Sequence, residues 1–339
     1  MSPDGDGRAA VSYVLPLRWR DDDGLDELTG YLHWLSGRVE DVLVVDGSDP
    51  ARFDAHAGRW AGLVRHLRPH PDLHFASGKV DGVVTGVREA AHDRVVIADD
   101  DVRYDDWSLA RMGALLLEAE LVRPQNYFDP LPWHARWDTA RTLLNRALGA
   151  DFPGTLGVRR GQFLAMGGYD GDVLFENLEL IRSVEAAGGR VVAPLDLYVR
   201  RLPPTTSHFL SQRVRQAYDD FALPARMAAA LAVLPGLALT PRGARGAVAA
   251  GLAMGATVLA EAGRRRAGGR VVFPASASLL APAWALERAV CAWLAVGARA
   301  RWGGVPYGGR VVSRAATPAR QLRRRLRRPG AAPARASAS

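Results

Sequence analysis

The chain has 339 residues, 48% of them hydrophobic and 24% charged, with a formal net charge of +8 and a pI of about 10.2. A chain of this length buries a substantial core in one large domain or two, and its single cysteine, Cys291, excludes an intramolecular disulfide and a thiolate zinc cluster and fits a reducing compartment. Acidic residues crowd the first part of the chain, whereas Arg264 to Arg266, Arg299, Arg301 and the stretch from Arg320 to Arg328 load its end, so the basicity belongs to the C-terminal region and does not mark a nucleic-acid binder.

Met1 to Ala10 is polar, lacks the apolar core of a signal peptide and reads as a disordered N-terminus. Strands are predicted at Val11 to Pro16, Val39 to Asp46, Leu63 to Leu67, Arg94 to Ala98, Leu121 to Pro124, Thr155 to Val158 and Arg190 to Ala193. Helical patterns lie between most of them, at Leu25 to Ser36, Asp81 to Ala91, Trp107 to Glu118 and Phe175 to Ala187. Such alternation implies an α/β domain with a mostly parallel sheet flanked by helices, in which ligands bind beyond the carboxyl ends of the strands. Val95 to Asp101 reads Val-Val-Ile-Ala-Asp-Asp-Asp, a buried strand ending in three consecutive carboxylates. Adjacent anions repel, and hard oxygens held together suit Mg²⁺ or Mn²⁺ carrying a diphosphate; the same pattern also describes an acidic, solvated turn. Asp46 closes another strand, so two acidic spots are expected to converge on one crevice.

From Met227 onward the composition turns to Ala, Leu, Val and Gly, with apolar stretches at Met227 to Leu239, Gly246 to Ala260 and Val271 to Gly297, the last interrupted by Glu287 and Arg288. A spanning helix needs about 20 apolar residues, so the first two are marginal. The connectors holding Arg242 and Arg245, Arg264 to Arg266, and Arg299 to Arg301 are all basic, so three simple crossings cannot keep each of them on the cytoplasmic side. Interfacial helices or a shallow hairpin on an anionic leaflet fit this pattern, against a soluble helical domain as the rival. The expected organisation is residues 1–10 disordered, 11–225 catalytic, 226–312 helical and membrane-associated, and 313–339 a basic disordered tail.

Several ordered motifs resemble one family, the nucleotide-sugar-dependent glycosyltransferases of the GT-A fold, family 2, in particular the membrane-associated branch related to ceramide glucosyltransferase. Val11 to Pro16 looks like the first strand and its nucleotide-contacting turn, and Val44-Val45-Asp46-Gly47-Ser48 is similar to the second-strand Val-Asp-Asp-Gly-Ser element, with one Asp missing. Gly78-Lys79-Val80-Asp81 matches a Gly-Lys-Ala segment that precedes a helix, and Asp99-Asp100-Asp101 matches the Asp-x-Asp metal site. The resemblance implies that Asp46 accepts an N–H of the nucleobase, with Pro16 and Ser48 beside the nucleotide. It also implies that Lys79 lies near phosphate, that Asp99 and Asp101 hold Mg²⁺ or Mn²⁺, and that Asp100 serves the ribose or backbone.

Gly167-Gly168-Tyr169-Asp170 followed by Phe175-Glu176-Asn177-Leu178-Glu179 resembles the family's second catalytic element, an acidic pair opening a helix whose second member is the general base. That position is Asn177 here, and an amide accepts no proton at neutral pH, so base duty passes to Glu176 or to Glu179 one turn on. Gln212, Arg213 and Arg215 resemble the Gln-x-x-Arg-Trp motif, with Gln216 in place of Trp, and imply contact with diphosphate. The segment Arg123 to Arg146, with Tyr127, Trp133, His134 and Trp137, is a candidate acceptor platform in which His134 is a structural hydrogen-bonder, and Leu143, Leu144 and Leu148 look like the buried stripe of a helix. The resemblance thus implies an inverting transferase that moves a sugar from a UDP- or GDP-sugar to a lipid-linked or glycan acceptor, at an anionic membrane surface, with its catalytic domain in the cytoplasm. A nucleotidyltransferase of similar sheet, or a scaffold that has lost its base, are the rivals.

Overall fold

The computed structural model describes residues 7–307 and 309–326. The chain divides into two units: residues 1–124, 153–199 and 318–339 form the first, and residues 125–152 and 200–317 the second.

The first unit is built on a seven-stranded sheet in the order Arg65–Leu67, Val39–Asp46, Ala9–Leu17, Arg94–Ala98, Thr155–Arg159, Leu121–Val122, Val191–Val192. The first four of these strands pair in parallel, Thr155–Arg159 runs antiparallel to both its neighbours, and Val191–Val192 is again parallel to Leu121–Val122. The sheet is therefore mixed and mostly parallel. Val42, Leu43, Val44 and Val45 are all buried, because helices cover both faces of a parallel sheet and its strands need no polar side. Leu17 pairs with Asp46 at the shared carboxyl end of two strands, and Ala98 closes a third just before Asp99.

The helix Gly78–Glu89 rides unusually close to this sheet. A Cβ at Gly86 would lie 2.3 Å from Val14 Cγ1, and one at Gly82 would lie 2.8 Å from Pro16 Cβ, so only glycine permits the approach. The helix also begins at Gly78, earlier than its apolar pattern predicts, after an extended Ser77, and this brings Lys79 into its first turn. A helix at Pro50–Arg59 escaped the apolar pattern because His56 is its one buried residue, although its start was legible: Asp49 caps the Arg52 N–H at 3.1 Å and Pro50 opens the first turn.

The second unit is mostly helical, with short strands at Gln125–Phe128, Val305–Tyr307 and Arg310–Val312. Its long helix Trp133–Leu148 packs on Arg245–Arg265, where a Cβ at Gly263 would fall 1.9 Å from the Leu143 carbonyl oxygen. Arg146 is fully buried there and donates to Gln125 Oε1 at 3.2 Å and to the Arg266 carbonyl at 2.8 Å. This packing takes the aromatic-rich segment into the second unit, so the division differs from the expected 11–225 boundary. Leu143 is buried as expected, but Leu148 is exposed, because the helix ends there.

By length and composition the helical run Arg245–Val272 is long and apolar enough to cross a membrane, with 11% of its most apolar window buried, while Pro224–Leu239 is too short. Pro274 breaks the last apolar stretch before the helices Ala275–Leu279 and Ala281–Trp302. Two expectations of disorder are modified. Ala9 and Ala10 already belong to a strand, and Ala319–Leu326, within the expected tail, is an amphipathic helix that buries Leu322. Residues 1–6 and 327–339, for which disorder was also expected, lie outside the described residues.

Candidate active site

Three elements distant in sequence meet at Lys79. Its Nζ lies 2.5 Å from Asp99 Oδ1, just beyond the strand Arg94–Ala98, and 3.0 Å from Glu176 Oε1, in the first turn of the helix Glu176–Ala186. Asn177 Oδ1 accepts from the same ammonium at 3.4 Å, and Asn177 Nδ2 donates to the Pro153 carbonyl at 2.9 Å. Burial alone would favour a neutral amine, but Asp99 and then Glu176 outweigh it and hold the Lys79 pKa above the ordinary lysine value. Lys79 is thus a fixed cation between two carboxylates.

Around this cluster the triple-aspartate turn closes on itself. The Asp99 N–H donates to the Gly154 carbonyl at 2.9 Å, and the Val102 N–H returns to the Asp99 carbonyl at 3.1 Å, leaving Asp101 half-buried in the turn. Asp100 does not share its neighbours' setting: its Oδ2 accepts from Trp19 Nε1, and its carbonyl accepts from Arg103 Nη1 at 2.6 Å. Arg18 brings a second cation toward the start of the Lys79 helix, its Nη1 3.2 Å from where a Cβ at Gly78 would sit.

Asp46 has a different environment from the one expected of a nucleobase acceptor. It is fully buried; Oδ1 accepts from the Ser48 N–H at 2.8 Å, while Oδ2 lies 2.6 Å from His56 Nδ1 and 3.1 Å from His66 Nε2. Burial pushes its pKa up, but the contacts from His66, His56 and Ser48 override this and hold the carboxyl well below the usual carboxylate range. With no exposed surface in this conformation, Asp46 presents nothing to a nucleobase. Pro16 is likewise buried against Gly82, and the Ser48 Oγ accepts from the Trp19 N–H at 2.9 Å. His56, His66 and Trp19 had no motif to flag them; the single clue was a histidine on an otherwise polar helix next to a strand-end aspartate.

The alternative base Glu179 is itself buried and lines a small, partly open cavity with Tyr169, Asp170, Ser183, Leu322 and Arg325. Gln212, Arg213 and Arg215 belong to the second unit. There the Arg213 guanidinium is nearly buried and forks onto Asp138 at 2.8 and 3.2 Å, stacked 4.0 Å over the Phe209 ring, so it is already committed within its own unit. Arg215 Nε donates to Gln212 Oε1 at 2.5 Å. In the proposed acceptor platform, Trp137 Nε1 donates to Glu287 at 3.0 Å and His134 Nε2 meets the Pro204 carbonyl at 2.8 Å.

No protein-family model matches the chain, and no curated protein matches it. Among solved structures it resembles glucosyl-3-phosphoglycerate synthase from Mycobacterium tuberculosis in complex with Mn²⁺, UDP and glucosyl-3-phosphoglycerate, at 17% identity and a TM-score of 0.42 over 60% of this chain and 75% of that one. A mannosyltransferase from Pyrobaculum calidifontis in complex with GDP-mannose and Mn²⁺ is similar at 18% identity and a TM-score of 0.46, covering 87% of this chain and 76% of that one. Mannosyl-3-phosphoglycerate synthase from Rubrobacter xylanophilus shares 20% identity at a TM-score of 0.40 over 60% and 70% of the two chains. These are distant likenesses, and the assignment of an activity rests on the side chains described above.

Proposed function

We propose that the chain is an inverting GT-A glycosyltransferase of family 2 type, moving a sugar from a UDP- or GDP-sugar to an acceptor hydroxyl by metal-assisted direct displacement. The observation that carries this reading is the meeting of Asp99, Lys79 and Glu176 from three separate elements beside the carboxyl ends of parallel strands, where α/β sheets bind ligands.

The donor set at the triple-aspartate turn fits a hard divalent cation: two carboxylates flank one closed turn, and Asp99 already faces a positive charge at 2.5 Å. Asp99 and Asp101 would hold Mg²⁺ or Mn²⁺ there, and the ion would supply compensation for the charge that builds on the departing diphosphate. Lys79 holds Asp99 and Glu176 in place and, with Arg18 near the same helix start, gives the site its cationic side. Glu176 is the group that takes the acceptor's proton. Asn177 cannot do so, being an amide bonded to the Pro153 carbonyl, and Glu179 is buried in its own cavity.

The finer reading is a lipid-linked acceptor presented at the cytoplasmic face of the cell membrane, as in envelope glycolipid synthesis. Its support is the apolar run Arg245–Val272, on which Leu252, Met254 and Val258 are exposed, together with the flanking arginines that suit anionic headgroups. The test is incubation of purified protein with UDP- and GDP-sugars and Mn²⁺. Release of free UDP or GDP that is lost in Asp99→Asn and Asp101→Asn is the expected result. Release of pyrophosphate would instead indicate nucleotidyl transfer, and no turnover with any donor would leave a scaffold.

A further inference from the structure

Asp46, His56 and His66 come from the strand Val39–Asp46, the helix Pro50–Arg59 and the edge strand Arg65–Leu67, and their ligand atoms Oδ2, Nδ1 and Nε2 all lie within 4.8 Å of one another. We propose that this cluster is a binding site for a borderline divalent cation of the Zn²⁺ class, distinct from the Asp99–Asp101 turn, which ties the strand, helix and edge strand together. The inference does not depend on the transferase reading.

Both ring nitrogens of His56 face carboxylates. Its Nδ1 faces Asp46 Oδ2 at 2.6 Å and its Nε2 faces Asp22 Oδ1 at 3.3 Å. A metal ligand offers one ring nitrogen as a lone pair and keeps its N–H on the other. With Nδ1 as the ligand, Nε2–H donates to Asp22, the carboxylate–histidine–metal arrangement that orients ligating imidazoles. Asp46 is oriented in the same way, since its other oxygen accepts the Ser48 N–H.

Aromatic rings wall the cluster. Phe53 stacks on His66 at 4.2 Å between ring centroids, and Trp60 stacks on His56 at 4.9 Å. These walls fix both rings and leave the fourth position of a tetrahedral ion to a water. Two imidazoles and one carboxylate suit Zn²⁺ or Co²⁺ better than Mg²⁺, which prefers oxygen. Bonds of about 2.0–2.1 Å at tetrahedral angles place ligand atoms ~3.3 Å apart, so contacts of 2.6 and 3.1 Å need to open by well under 1 Å and the two histidine nitrogens, within 4.8 Å of each other, need to close by no more than about 1.5 Å through side-chain rotations.

The experiment uses tag-free full-length protein. Expected results are about one equivalent of Zn²⁺ retained on purification, a rise in melting temperature when Zn²⁺ is returned to chelator-treated protein, and a visible ligand-field band on Co²⁺ substitution. His66→Asn should abolish all three, and Asp99→Asn should leave them intact. Should His66→Asn fail to fold, Asp22→Asn, on a partly exposed side chain, serves as the second variant and should weaken Zn²⁺ affinity ~10–100-fold by removing the partner of His56. Absence of retained metal together with an equal Zn²⁺ response in the native protein and both variants would overturn the site and leave a hydrogen-bonded histidine pair.

Discussion

Replacing Lys79 by Met keeps the length of the side chain but removes the ammonium that lies 2.5 Å from Asp99 and 3.0 Å from Glu176. Both carboxylates, at 19% and 16% exposure, then lose this counter-charge, and they are too buried for water to replace the whole of the lost attraction. Stripping one partner from a buried ion pair costs about 3–5 kcal/mol. Partial solvent access puts this cluster at the low end, ~3 kcal/mol, which lowers the melting temperature by roughly 6–12 °C for a unit of this size.

The effect has a definite sign with pH. In the native protein the Lys79 pKa is raised by folding, so its contribution is fully present below the ordinary lysine value of about 10.4 and is lost as pH rises through the folded-state value. The Met variant lacks that contribution throughout, so the deficit should hold steady from about pH 5 to pH 8 and shrink only as pH climbs past the ordinary lysine value. Thermal melting of both proteins across that range, at low and high salt, measures it. A deficit that high salt leaves unchanged would show that the loss is one of packing rather than charge, and a drop below about 2 °C near pH 8 would refute the magnitude.

Glu176→Gln should lower kcat by about 10²–10⁴ with the KM for donor little changed, as steady-state kinetics on the identified donor would show; unchanged kcat would remove it as the base. Arg213→Ala strips the forked partner from buried Asp138 and leaves it the charge of Arg141, so it should destabilise the protein by about 3 kcal/mol while donor KM stays the same, and a large rise in KM without loss of stability would restore a phosphate role. Gly86→Ala forces a methyl to within 2.3 Å of Val14 and should cost about 1–3 kcal/mol by overpacking; a neutral result in chemical denaturation would mean that the helix Gly78–Glu89 can slide away from the sheet.

Much of the sheet was legible in the sequence. Val39–Asp46, Arg94–Ala98 and the helix Leu25–Ser36 occur at their predicted limits, because buried parallel strands are continuous β-branched runs and the helix has a clear apolar stripe. The helix Pro50–Arg59 was missed because its burial rests on a histidine, which no hydrophobic pattern counts. Membership of the second unit was equally invisible: Trp133–Leu148 follows the same sheet-forming region of sequence, yet it packs on a helix more than a hundred residues away through a bare glycine.

The order of residues alone determined that acidic groups would stand at the carboxyl ends of buried strands, since an apolar run followed by aspartates leaves them nowhere else to go. Tertiary structure decided which of those groups remain available. Asp99 meets a lysine from one helix and a glutamate from another, whereas Asp46, carried by an equally plain strand, is enclosed by two imidazoles. A carboxylate's role depends on the partners within about 4 Å of it, and those partners come from elements whose separation along the chain bears no relation to their distance in space.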